Sequence, residues 1–404
     1  MIGVMLLGLA ALPLQSDWLQ WRGSSGDAVS SEPEPPIKWS QKDGILWKAA
    51  LPGAGNSCPI VIADKVIVTA SDGASHDNLM VLAFDRRTGK PLWNAGFFAS
   101  RSAPPFSQFP PERGHAAPSP ASNGKVIVAL FGSGDLVALD LDGKPLWIRS
   151  LSKEFGPFRN EYGISVSPLI VDDRVIIQID HAAASYVLAA SLANGKTLWK
   201  TGRDALDGWA TPVIARVENT YQVICLGTGT ATAYDLQTGR RIWNFAGLER
   251  LCSATPTVRG TRLIATSGPR GVVFALNLAG TNDGTPPRVL WQSKRMGPFI
   301  PSPLVTDQFV LVPDDQGMMS CLDFETGLEL WKERMAGRAR PSAVAAGDLF
   351  FNTSLDGTTI VGRLGNKLEK LSSNGLGEQV AASPAIAKGN LFIRGEKHLW
   401  CIGK

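Results

Sequence analysis

With 404 residues, 44% of them hydrophobic and 19% charged, the chain has the composition of a folded protein rather than a disordered one, and it is long enough for several small domains or one repeat array. Forty Lys and Arg against 36 Asp and Glu leave a formal charge of +4, too dilute a bias for a dedicated nucleic-acid binder. Twelve Trp against four Tyr, with almost no stretch that sustains a 3.6-residue apolar period, point to an all-β fold.

Residues 2–14 form an apolar run followed by Gln15, Ser16 and Asp17. Such a run is shorter than the about 20 helical residues that span a bilayer, but it suits the apolar part of a secretory signal. Residues 1–16 therefore read as a signal peptide cleaved after Ser16, and the protein as extracytoplasmic, periplasmic or secreted, with no transmembrane span. No Cys follows the run to carry a lipid anchor. Residues 17–41 read as an N-terminal extension and residues 42–404 as a single repeat domain.

From Lys42 onward one phrase recurs: an apolar residue, Asp, two or three residues, Gly, a basic residue, one or two residues, Trp. Its ending is first met at Trp47 in "KDGILW", without preceding strands. It is then complete at Trp93, Trp147, Trp199 and Trp243, stretched at Trp291 in "FALNLAGTNDGTPPRVLW", and restated at Trp331. Each repeat opens on a small residue, Pro and a strand, at Pro59, Pro120, Pro168, Pro212, Pro256, Pro303, Pro341 and Pro384, a mean step of about 46 residues. Residues 120–147 show four short strands parted by "SNGK", "GSGD" and "DGK", whose Gly, Asn and Asp tolerate the positive φ of tight hairpins. Four antiparallel strands make a blade. A blade alone leaves both apolar faces open, so blades stack radially, and the recurrent Trp fills the gap to the neighbour. Eight openings predict an eight-bladed β-propeller. The last repeat stops one strand short at "GEKHLWCIGK", so Lys42–Trp47 is expected to supply the missing strand, which closes the ring and removes two sheet edges. No Trp falls between Trp331 and Trp400, which predicts looser packing between blades seven and eight.

The repeat phrase, its closure and the opening "DWLQWRG" (Asp17–Gly23) resemble the pyrroloquinoline-quinone (PQQ)-like eight-bladed propeller family over about residues 40–404. That family includes quinoprotein dehydrogenases and the non-enzymatic outer-membrane assembly propellers of the BamB kind, so the resemblance implies a fold and leaves function to be argued from the site. An enzyme resembling the PQQ alcohol dehydrogenases would need a divalent ion such as Ca²⁺ on hard oxygen ligands, a catalytic Asp beside it and cationic contacts to the quinone. Many such enzymes also carry an adjacent Cys pair, and no two cysteines are adjacent here. Asp72, Asp135, Asp314, Asp315 and Asp356 stand where hairpin turns favour Asp. The four histidines (His76, His115, His181, His398) match no hydrolase or zinc motif, and Asp180 with His181 reads as a solvated turn of blade three. No catalytic, cofactor-binding or metal residue is assigned. Cys58, Cys225, Cys252, Cys321 and Cys401 read as buried free thiols, a Cys225–Cys252 bridge being conceivable.

The links between blades carry what the repeat leaves unexplained. Nearly every one bears arginine before the next opening: Arg113, Arg159, Arg203, Arg250, Arg295, and Arg338 with Arg340. Aromatic residues accompany them, among them Phe106, Phe109, Phe155, Phe158, Tyr162, Trp209 and Phe299. Arg and aromatics are enriched in binding hot spots, and loops on a rigid frame carry function, so this face reads as a rim that binds an anionic group or an acidic or extended peptide. The longest link, "APPFSQFPPERGH", reads as a funnel cover, an extended recognition edge or a spacer. The sequence thus predicts a scaffold without chemistry of its own, monomeric or part of a complex, that binds a protein or peptide partner, and the resemblance to the BamB kind implies that this partner belongs with the envelope assembly machinery. A PQQ-dependent dehydrogenase and a glycan- or cell-wall-binding propeller are the alternatives.

Overall fold

Short apolar strands bounded by Gly, Asn and Asp turns pair in chain order, and the rule repeats eight times in the structure, a computed structural model that describes residues 17–32, 35–101, 114–160 and 163–404. Blade 1 runs from inside to outside as Ile60–Ile62, Lys65–Asp72, Asn78–Asp85 and Pro91–Phe98, all antiparallel. Blade 2 follows its predicted plan with Ala121–Ser122, Val126–Leu130, Asp135–Asp140 and Pro145–Ser150. The inner strands touch those of neighbouring blades and so surround a common axis. Middle strands are buried on both faces by adjacent blades, which is why they read as continuous apolar runs, whereas the outer strand alternates exposed and half-buried. Ile45–Ala50 pairs antiparallel with His398–Ile402 and completes blade 8, as the sequence predicts.

Six of the recurrent indoles tie one blade to the next by donating Nε1–H to a carbonyl in the neighbour's last turn. Trp47 reaches Arg86 at 2.8 Å, Trp93 Leu141 at 3.0 Å, Trp147 Leu192 at 2.9 Å, Trp199 Leu236 at 2.9 Å, Trp291 Phe324 at 3.0 Å and Trp331 Gly365 at 3.0 Å. The turn glycine lies under the ring. A Cβ on Gly89 would stand 2.6 Å from the Trp47 indole, and its φ of +69° is a second reason for Gly. Trp243 departs from the rule. The stretched turn of blade 5 folds as a 3₁₀ turn at Thr281–Asp283 that holds the Gln222 amide, and Trp243 donates to Gln222 Oε1 at 2.8 Å instead.

The joint between blades 7 and 8 corrects the expectation of looseness. Where blade 6 has Trp331 opposite Cys321, blade 7 has Ser372 opposite Val361. Ser372 donates to the Ile37 carbonyl, while Asn374 accepts the Trp39 N–H and donates to Ile37 O, each at 3.0 Å. Trp39 is buried, and a Cβ on Gly44, the glycine of "KDGILW", would stand 2.9 Å from its Cβ. A buried Trp of the N-terminal segment thus packs beside the blade-8 turn where blade 7 offers no Trp, and one apolar core runs unbroken from blade 6 through blades 7 and 8 into blade 1.

Residues 17–30 lie across the turn side of the axis. Trp18 and Val61 exchange backbone hydrogen bonds at 3.0 and 2.9 Å, and Ser122 N–H donates to Leu19 O at 2.7 Å. Arg22 reaches Pro303 O at 2.7 Å, Lys388 pairs with Asp17 at 3.2 Å, and Val29–Ser30 adds a parallel strand inside blade 7. These anchors sit on blades 1, 2, 6, 8 and 7, so the segment closes one end of the axial channel.

Candidate functional site

At the start of each inner strand stands a small polar residue: Cys58, Ser119, Ser167, Thr211, Thr255, Ser302, Ser342 and Ser383. The backbone N–H of each donates to the side chain of the next, from Cys58 to Ser119 at 2.9 Å round to Ser342 to Ser383 at 2.8 Å. Ser383 N–H then donates to Cys58 Sγ at 3.0 Å and closes a circle of eight hydrogen bonds that all run the same way. Proline follows this residue in seven blades and holds it extended, which aims the N–H sideways. In blade 7 the order is reversed, Pro341 preceding Ser342. The sequence shows the small residue before Pro in seven blades, but the circle it forms emerges only in three dimensions.

Beside this collar, on the side of the inter-blade links, lies a funnel of about 460 Å³. Its floor is Trp21, whose Nε1–H donates to Thr255 Oγ1 at 2.9 Å. Phe158, Trp209 and Phe299 line its wall, and Trp209 Nε1–H is fixed by Asn160 Oδ1 and Gly163 O, both at 3.0 Å. His115 also lines it. Burial, helped by nearby His76, pushes its imidazole down to about 4, and its buried Nε2 meets no partner among the described residues. Burial pushes the Cys58 thiol up to about 11, so it stays protonated and unreactive. Among the described residues Arg340 is the one permanent cation in the lining, and no Asp or Glu lines it. Among the described residues no three His, Cys, Asp or Glu side chains converge as a metal site would require. This lining of hydroxyls and one guanidinium does not fit a divalent ion with its quinone, which needs hard anionic oxygens.

The predicted rim divides. Arg159, Arg250, Arg295 and Arg338 are exposed on the links, and none is paired with a carboxylate among the described residues. Trp209 and Arg340 face the funnel. Arg113, with Phe106, Phe109 and Tyr162, lies outside the described residues. Arg203 corrects the expectation. It is buried, and its Nε and Nη2 donate to both oxygens of Asp180 at 2.7 and 3.1 Å, so it is a seam residue and not a contact. Burial is the largest single influence and opposes its charge, but Asp180, Cys225 and Tyr234 together hold the guanidinium above its ordinary value. Asp180 and His181 are both buried, not the solvated turn that was expected. Asp314 and Asp356 cap turns, whereas Asp315 accepts the Phe299 and Ile300 N–H groups at 2.9 and 3.1 Å and so positions the funnel wall. All five cysteines are buried and free, Cys225 and Cys252 included.

Comparison with known proteins follows the fold. The profile of a family described as outer membrane protein assembly factor BamB matches residues 28–202, 183–287 and 227–403. The outer membrane protein assembly factor BamB of Burkholderia pseudomallei (strain K96243) is 25% identical, the match covering 86% of this chain and 84% of that protein. The crystal structure of BamB from Moraxella catarrhalis is similar with a TM-score of 0.64 at 17% identity, covering 88% of this chain and 98% of that one. A europium-containing methanol dehydrogenase has the same fold with a TM-score of 0.69 at 13% identity, covering 94% and 89%.

Proposed function

The chain belongs to the family of outer membrane protein assembly factor BamB, and from that premise we propose that it is a non-catalytic extracytoplasmic scaffold whose link face binds a protein partner in envelope assembly. The observation that carries this reading is the set of four exposed arginines, Arg159, Arg250, Arg295 and Arg338, standing on four different links without a carboxylate partner among the described residues. Unpaired guanidiniums on rigidly mounted loops favour an acidic or extended polypeptide. The apolar run at residues 2–14 supports export, and no helix among the described residues is long and apolar enough to cross a membrane.

Crosslinking and capture from native envelope fractions test the reading, comparing the native chain with an Arg250→Glu, Arg295→Glu double variant. The double variant is expected to lose the captured species while its melting temperature stays within about 2 °C, as exposed substitutions do. The same species captured by both chains would overturn it. So would alcohol- or sugar-dependent dye reduction after addition of PQQ and Ca²⁺.

A further inference from the structure

The outer strands of blades 2 to 8 each carry at least one Lys or Arg, and the outer strand of blade 1, Pro91–Phe98, carries no charged residue at all. Charge on an edge strand keeps foreign strands from adding to it, so this edge alone lacks the usual guard. It is also the longest outer strand, at 8 residues against 6 or 7. Ala99 N–H donates inward to Asp77 O at 2.7 Å, and the bonds of an antiparallel ladder alternate. Leu92, Asn94, Gly96 and Phe98 therefore turn their N–H and C=O groups away from the sheet. The same four residues are exposed, and Phe98, at 84%, is the most exposed large hydrophobic residue among those described. Gly96 is an independent observation. A glycine inside a strand weakens it and marks places where another backbone comes close. Gly96 has no positive φ, and a Cβ on it would meet nothing within 4 Å, so neither conformation nor packing among the described residues calls for glycine there. Just beyond the two ends of the strand stand Lys90 and Arg101, both exposed and neither paired with a carboxylate among the described residues.

We propose that the outer edge of blade 1 is a docking site for an extended segment of another polypeptide, which adds to the blade as a further strand. Its backbone meets the outward N–H and C=O groups, and an aromatic side chain on the same face covers Gly96, as aromatic residues do beside edge glycines. An acidic residue near each end faces Lys90 and Arg101. A second copy of this chain does not meet these terms. Two copies paired about Ala95 place Leu92 opposite Phe98, but they also bring Lys90 of one copy beside Arg101 of the other at both ends, and like charges there oppose pairing. The edge lies on the perimeter and uses none of the link arginines, so it does not depend on the reading of that rim.

Fluorescence anisotropy of the full chain with capped peptides of about ten residues tests this. The first peptide alternates Val and Thr around a central Tyr and has Asp at both ends. The second has Lys in place of Asp, and the third is the first with its central backbone nitrogens methylated. The Asp-ended peptide is expected to bind, the Lys-ended one about fivefold or more weakly, and the methylated one not measurably. Gly96→Pro removes one outward N–H and no ladder bond, and it should weaken binding about tenfold or more. Phe98→Glu changes a side chain too exposed to disturb the core, and it should weaken binding about threefold or more. Arg250→Glu with Arg295→Glu should leave binding as it is in the native chain, which separates this edge from the rim. The Asn94, Gly96 and Phe98 amides should exchange hydrogen more slowly when the first peptide is bound. Binding that survives methylation or both edge substitutions, unchanged exchange at those amides, or no binding at millimolar peptide overturns the proposal. So does a native chain that sediments as a dimer and becomes a monomer on Phe98→Glu, since the occupant is then a second copy.

Discussion

The seam between blades 3 and 4 and the seam between blades 8 and 1 each bury a guanidinium, and they treat it in opposite ways. Gln178 and Arg394 hold the same strand position, two residues past Ile176 and Phe392, which pair with the first residue of their inner strands. Each reaches across its seam to the same carbonyl of the next blade, Gln178 to Leu226 O at 2.7 Å and Arg394 to Thr69 O at 2.6 Å. In the first seam the reaching group is neutral, and the nearby cation, Arg203, has both oxygens of Asp180 and the Tyr234 hydroxyl. In the second the reaching group is itself the cation. Arg394 meets only Ser57 and the Thr69 carbonyl, with Nε and Nη2 unpartnered among the described residues. Burial alone then prevails and lowers the Arg394 guanidinium to about 10. A repeat fold reuses one bridging geometry, and the neighbouring side chains decide whether charge suits it.

The largest expected effect separates the seams by removing their charges. Asp180→Ala strands Arg203 in the interior and should cost about 3–5 kcal/mol, whereas Arg394→Gln, which copies the other seam, should cost about 1 kcal/mol or less. Chemical denaturation measures both, and equal losses would break the comparison. A smaller effect comes from pH. Between about 10 and the ordinary 12.5 the folded chain binds fewer protons at Arg394 than the unfolded chain, so stability rises with pH across that window. From pH 9 to 11 the native chain should gain about 1 kcal/mol on Arg394→Gln. A flat difference would mean the guanidinium is better solvated than its burial implies. Smallest of all, Arg250→Ala and Arg295→Ala should each stay within about 0.5 kcal/mol of the native chain, since neither guanidinium is buried or paired.

Blade count, strand order and ring closure are legible in the sequence because they rest on local patterns: Pro-led openings, Gly turns and a recurrent Trp. Arg203 shows where that legibility stops. It stands in its link as Arg250 does, and what buries it is Asp180, which comes from the end of a different strand of the blade. The one signal is "QID" in blade 3, where blades 2 and 4 continue as "LFG" and "LGT", an acid that no hairpin rule requires. The gap left by the missing seventh Trp is equally visible, but nothing local marks Trp39 as its filler, because Ser372 and Asn374 recruit it across more than three hundred residues. In the funnel, the Cys, Ser and Thr before seven of the prolines are visible as small residues. Their circle is not, since each bond joins residues a whole repeat apart.

The crossing of residues 17–39 sets an order of events for a chain made from one end. The earliest described residues dock on Thr257, Pro303, Ala345 and Asn374, and the strand behind them needs His398–Ile402. They are made before every one of these partners and find their places after them. Contacts of such long sequence separation carry the highest loop-closure cost and form slowly. Before His398–Ile402 is in place the fold can only be an open arc, its first and last blades unsealed and its axis unplugged.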